Sequence, residues 1–251
     1  MKTAGIRLAL ISVAVAIAGV LALPGASMAV GPGADVFGNS WNDLNTYEAA
    51  TDAFNNLSSS GYYTWNNQKN ITAAVAMSGP YAQSDAVWAD FGHGGPGFIT
   101  FCTEPGGASC TSVLRGDSRA GPCSGGMGDT CLSSYPIQIH RLRLMLFAGC
   151  ETAKNQTNTA NLVDYAVDTN HVDSAIGFTT LIYYGGFTHP GETWSQSFFT
   201  YLRQGYTETQ AESMAVNDVR NVFLALGNAS GWDSAYIRNG GTKLIPAAYG
   251  S

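Results

Sequence analysis

Apolar positions along this chain recur in two rhythms. From Thr46 to Leu57 (TYEAATDAFNNL) they fall at helical spacing, and Ser58-Ser59-Ser60-Gly61 stops the run, which predicts a helix. The same reading predicts helices over Ile71–Met77, ended by Ser78-Gly79-Pro80, over Leu162–Val167, and over the amphipathic stretches Trp194–Gly205 and Glu208–Leu226. Tyr62–Trp65 is a short aromatic, strand-like piece. Asp85–Phe91 and Ser174–Thr179 read as strands, with Gly97–Phe101 a continuation or hairpin partner of the first. Arg141–Ala148 (RLRLMLFA) becomes continuously apolar toward its end, as a strand buried on both faces does. Strands alternating with helices predict an α/β fold, a mostly parallel central sheet covered on both faces. In such sheets ligands and catalytic groups gather beyond the carboxyl ends of the strands.

One stretch follows neither rhythm. Cys102 to Ser134 is rich in glycine and holds four of the five cysteines, arranged as C-x7-C twice: Cys102 with Cys110, and Cys123 with Cys131. In an oxidising compartment the local pairing is two disulfides that staple an excursion from the core, leaving Cys150 as a single thiol; four cysteines allow three pairings. A zinc site is the alternative, against which stand spacings longer than the short C-x2–4-C of zinc modules. The N-terminus supplies the compartment. Met1-Lys2 and Arg7 precede an apolar run from Leu8 to Leu23, and Ser27-Met28-Ala29 puts small residues at a cleavage-like site. This predicts a secretory signal peptide over 1–29, cleaved after Ala29, and one secreted domain over 30–251. With 12 basic against 18 acidic residues, a net charge of −6 and no basic run, the chain is unsuited to nucleic acid or an anionic membrane surface. Asp117 and Asp129 in the excursion are possible calcium ligands without a supporting loop pattern. Asn56, Asn70, Asn155 and Asn228 begin glycosylation sequons, relevant only in a host that modifies exported proteins.

Two predicted strand ends carry chemistry. Gly92-His93-Gly94-Gly95 follows Asp85–Phe91, and Gly149-Cys150-Glu151-Thr152-Ala153 follows the Arg141–Ala148 strand. If the strands are neighbours, a possible base and a possible thiol nucleophile meet at one rim, and glycine-rich backbone there can bind an oxyanion. "WADFGHGG" followed by "LRLMLFAGCETA" resembles the His-Gly and Cys motifs of the caspase-like (clan CD) cysteine peptidases, a group that includes caspases, metacaspases, gingipains and CHAT-domain proteins. The Cys segment is most similar to the CHAT type. The resemblance runs more loosely over most of the chain after residue 29.

The resemblance implies a caspase-like α/β/α sandwich, an endopeptidase acting on peptide or protein substrates, and no cofactor or metal. It makes His93 the general base, Cys150 the nucleophile, and the amides of Gly94 and Cys150 the oxyanion hole, with a thioester intermediate. Metacaspases carry Asp two residues before the nucleophile; here that residue is Ala148, so their basic specificity does not transfer. Two other readings stand beside this one. A catalytically silent domain of the same fold would bind a partner or cell-wall component. Alternatively His93-Gly94-Gly95-Pro96-Gly97 resembles the oxyanion motif of α/β-hydrolases, which would need a later acid and base such as Asp173 and His189.

Overall fold

The structure is a computed structural model that describes residues 31–38, 44, 46–66, 71–102, 110–136, 138–156, 161–185, 189–222 and 229–251. In chain order its elements are β1 (Gly33–Gly38), α1 (Thr46–Ser59), β2 (Tyr63–Asn66), α2 (Ala73–Ala76), β3 (Asp85–Phe91), β4 (Gly94–Gly95), β5 (Phe98–Phe101), β6 (Ser112–Arg115), β7 (Thr130–Cys131), β8 (Leu144–Ala148), α3 (Leu162–Asp168), β9 (Ala175–Phe178), α4 (Pro190–Arg203), α5 (Glu208–Val222) and β10 (Ala235–Arg238). Six strands make the central sheet in the order β10-β9-β8-β3-β1-β2; every pairing is parallel except that of β10 with β9.

Period-two alternation divides the sheet residues between two cores. Val36, Val87, Ala89, Phe91, Leu146, Ala148 and Phe178 face α1, α4 and α5, meeting Ala49, Ala53, Leu57, Phe198, Leu202, Ala215 and Val219. Trp194 is the centre of that layer, stacked between Phe198 at 4.7 Å and Trp232 at 4.8 Å. On the other face Phe37, Trp88, Met145 and Phe147 pack against Ala73 and Ala76 of α2 and Leu162, Val163 and Ala166 of α3. Each fully buried Val, Leu, Phe or Met side chain contributes roughly 1.5–3 kcal/mol, and β3 and β8, at the centre of the sheet, are buried throughout.

Several boundaries differ from the sequence reading. α2 is one turn; it starts only after Thr72, which caps it by accepting the Val75 N–H at 3.3 Å. β8 begins only at Leu144: Arg143 instead turns its guanidinium onto the carbonyls of Leu244 and Pro246, the latter at 2.9 Å, tying the C-terminal residues to the sheet. β1 and β10 were not foreseen. β1 (GADVFG) has too little apolar period to announce itself and is buried only because β2 and β3 flank it.

The glycine-rich excursion joins β4 and β5, which precede it, in a second sheet, β4-β5-β6-β7, and is stapled by Cys102–Cys110 and Cys123–Cys131, while Cys150 is a free thiol. The zinc alternative therefore falls, since a disulfide sulfur has no thiolate to offer a metal. Asp129 and Asp117 are engaged by Arg115 at 3.0 Å and by Arg119, and no metal-binding group of His, Cys, Asp or Glu assembles among the described residues. Asn56 is buried and bonded to the Asp52 carbonyl, which removes it as a glycan acceptor; Asn70 and Asn228 lie outside the described residues, as does the predicted signal peptide. Among the described residues no helix is long and apolar enough to cross a membrane.

At the amino ends of the strands the core holds buried acids. Asp85 and Asp35 share a hydrogen bond; burial and the adjacent Asp35 drive the Asp85 carboxyl far above its ordinary range, and burial raises Asp35 as well. Burial pushes Glu208 up to about 8, although the Ser174 hydroxyl bonds to it. The folded protein thus keeps protons that the unfolded chain releases above pH about 4, and stability falls as pH rises from there toward 8, by about 1.4 kcal/mol per unit for each proton withheld. Urea titrations between pH 5 and 8 are expected to show this decline. Asp85→Asn, which supplies an uncharged donor to Asp35, is expected to flatten it.

Candidate active site at the carboxyl edge of the sheet

The register of the two central strands fixes the geometry. β3 and β8 are adjacent and parallel, with Phe91 opposite Ala148, and the Gly92 N–H adds a last bond to the Ala148 carbonyl at 3.1 Å. Each strand then exits through one glycine, Gly92 or Gly149, so His93 and Cys150 stand level on neighbouring loops, both partly exposed. The backbones behind them touch. A methyl built on Gly94 would lie 2.8 Å from the Cys150 carbonyl oxygen and 3.0 Å from its nitrogen; a methyl on Gly149 would lie 3.2 Å from the Gly94 Cα. Neither glycine has room for a side chain of its own.

The histidine loop is held from the stapled sheet. The Thr100 N–H and hydroxyl both donate to the His93 carbonyl, at 2.9 and 3.1 Å. Gly94 is the next residue along, opposite Ile99. In an antiparallel ladder bonded and non-bonded pairs alternate, so the Gly94 N–H is turned away from β5. The second sheet thus begins immediately after the candidate base.

The cysteine loop is held from the other side. Glu151 adopts φ +56°, a left-handed conformation costing a residue with a Cβ roughly 1–3 kcal/mol. It is stabilised by bonds from Glu151 N–H to the Thr180 carbonyl and from Ala153 N–H to the Phe178 carbonyl, both 2.9 Å, and by an ion pair with Lys154. The Cys150 thiol lies 3.5 Å from the Ile182 carbonyl. Residues 181–184 run extended past the thiol, with Ile182 and Tyr184 buried and Leu181 and Tyr183 exposed. Gly231, at φ +84°, permits this path, for a methyl there would lie 1.9 Å from the Leu181 carbonyl oxygen. The Tyr184 hydroxyl donates to the Ala148 carbonyl, and burial, with the charges of Asp90 and Cys150, holds its pKa well above the usual phenol value. It stays protonated and keeps that bond.

Thr152, Tyr184 and Ile182 had no role in the sequence reading. Tyr184 and Ile182 reach the cysteine loop from more than thirty residues away, Tyr184 through the Ala148 carbonyl and Ile182 through its own. Thr152 bonds nearby carbonyls, and only the Glu-Thr that follows Cys150 hinted at it. Conversely, the acid and base suggested for the hydrolase reading, Asp173 and His189, have other partners. Asp173 precedes β9 at the opposite end of the sheet, where it binds the Ser251 hydroxyl at 2.9 Å. His189 starts α4, 3.8 Å from Glu192. That reading is set aside. A surface concavity of about 540 Å³ also lies at the Asp173 end, away from Cys150, and is lined by His171, Asn239 and Thr242 among others.

The chain matches no protein-family model, and no curated protein sequence is similar to it. Among solved structures it is similar to the Arg-specific cysteine proteinase gingipain R, with a TM-score of 0.54 and 8% identity, over 84% of this chain and 46% of that one. This chain therefore spans less than half the length of that proteinase. At such identity the likeness is one of fold: a caspase-like α/β/α sandwich with a mostly parallel sheet.

Proposed function

We propose that this chain is an exported cysteine-type endopeptidase in which Cys150 is the nucleophile and His93 the general base. The observation that supports the reading is the Phe91–Ala148 register with the Gly94–Cys150 backbone contact, which brings the loop of His93 against the loop that carries the one free thiol of the described residues. The gingipain-like fold and the two disulfides agree with it.

In this mechanism His93 takes the thiol proton as sulfur attacks the peptide carbonyl carbon. The oxyanion that forms is bound by the N–H groups of Gly94 and Cys150. The C–N bond breaks, His93 returns the proton to the departing amine, and a thioester remains on Cys150. Water, deprotonated by His93, then attacks the thioester and frees the thiol with the acid product. The arginine specificity of the structural neighbour is not transferred, because no residue of this chain is matched to the one that confers it.

Alkylation tests the pair directly. Iodoacetamide at neutral pH is expected to modify Cys150 of the folded, disulfide-intact protein, and His93→Ala to slow that reaction by about tenfold or more without lowering the melting temperature appreciably. Equal alkylation rates in the two proteins would sink the assignment of His93 and favour a catalytically silent binding domain.

A further inference from the structure

Thr152 is fully buried two residues after Cys150, and both ends of its side chain are occupied. Its hydroxyl lies 2.9 Å from the Phe147 carbonyl and 3.1 Å from the Gly149 carbonyl, sharing one proton between them, and accepts the Phe178 N–H at 3.2 Å. These bonds tie the end of β8 and the cysteine turn to β9. The methyl group points the other way. Methyls built on Gly94 and Gly149 would come within 2.8 and 3.1 Å of the Thr152 Cγ2, so this carbon sits against both glycines, where the histidine and cysteine loops meet. Few side chains offer both functions. Serine lacks the carbon that touches Gly94; valine lacks the bonds that anchor the turn.

We infer that Thr152 is a positioning residue that sets the distance between the Gly94 and Cys150 amides, and thereby the geometry of the oxyanion hole. The inference rests on the peptidase reading above. Its methyl is the spacer, and its hydroxyl fixes the spacer to the two strands that carry the site. An oxyanion donor displaced by a fraction of an ångström loses much of its effect on the transition state while leaving ground-state binding intact. Attack of a thiolate on iodoacetamide develops no oxyanion, so that reaction reports the thiol and its base but not the hole.

The two substitutions therefore separate. With the fluorogenic peptide that the wild-type protein cleaves fastest in a mixed library, Thr152→Ser is expected to lower kcat about tenfold, with KM, the melting temperature and the rate of Cys150 alkylation little changed. Thr152→Val keeps the spacer and loses the hydroxyl bonds; it is expected to lower the melting temperature by several degrees yet hold kcat within about threefold. Thr152→Ser matching wild type in kcat while Cys150→Ala is inactive would overturn this inference alone. So would equal slowing of turnover and alkylation in Thr152→Ser, the sign of a loosened cysteine turn. Wild type and Cys150→Ala cleaving peptides alike would overturn the peptidase reading and this inference together.

Discussion

Cys150→Ala is expected to reduce peptide hydrolysis at least about ten-thousandfold while shifting the melting temperature by no more than a few degrees. The size of the first effect follows from covalent catalysis: without the sulfur no thioester forms, and what remains is binding and the oxyanion hole. The small second effect follows from the setting of the side chain. Cys150 is partly exposed, its thiol lies a long 3.5 Å from the Ile182 carbonyl, and the turn around it is held by the backbone of Glu151 and Ala153. Rates on the library-selected peptide, read beside a thermal melt, check both halves. Retention of wild-type activity would remove Cys150 from the mechanism.

Gly94→Ala is expected to cost about 100- to 1,000-fold in kcat, as loss of one oxyanion donor does, and about 1–3 kcal/mol in stability. The new methyl would meet the Cys150 carbonyl oxygen and the Thr152 Cγ2, both at 2.8 Å, and the Cys150 nitrogen at 3.0 Å. Two of these are backbone atoms in a turn tied to β9, so the histidine loop must give way. Its own movement is restrained by the Thr100 bonds to the His93 carbonyl, which converts the collision into strain. By contrast, Gly79→Ala adds a methyl with no atom within 4 Å and serves as the control for a glycine replacement as such. Normal turnover by Gly94→Ala would show that the Gly94 amide binds no oxyanion.

Much of the scaffold was legible because its signals are local. β3 and the start of α1 lie where the apolar period put them, and β8 ends where its apolar run does. Of the three pairings the spacing left open, the structure has the local one, as expected where a short loop closes most readily on itself. The misses share one physical cause. β1 and β10 are held chiefly by what lies beside them: β1 is buried between two strands, and β10 is an edge strand of half-buried residues. Arg143 reads as strand in a periodicity count; its N–H still bonds the Ala86 carbonyl of β3, while its guanidinium reaches three carbonyls of the distant C-terminal residues.

For the site the division is similar. Taken alone, the sequence determined which residues have reactive chemistry: a histidine between glycines, and one unpaired thiol at the end of an apolar strand, with four other cysteines consumed in staples. Residue types and short spacings carry that information. Only the tertiary structure decided that β3 and β8 are neighbours with Phe91 opposite Ala148, which sets His93 and Cys150 level. It likewise separated Asp173 from the cysteine and brought Thr152 and Tyr184 to the rim. Strand order and register arise from burying two faces of one sheet at once, a condition on the whole chain that no local stretch records.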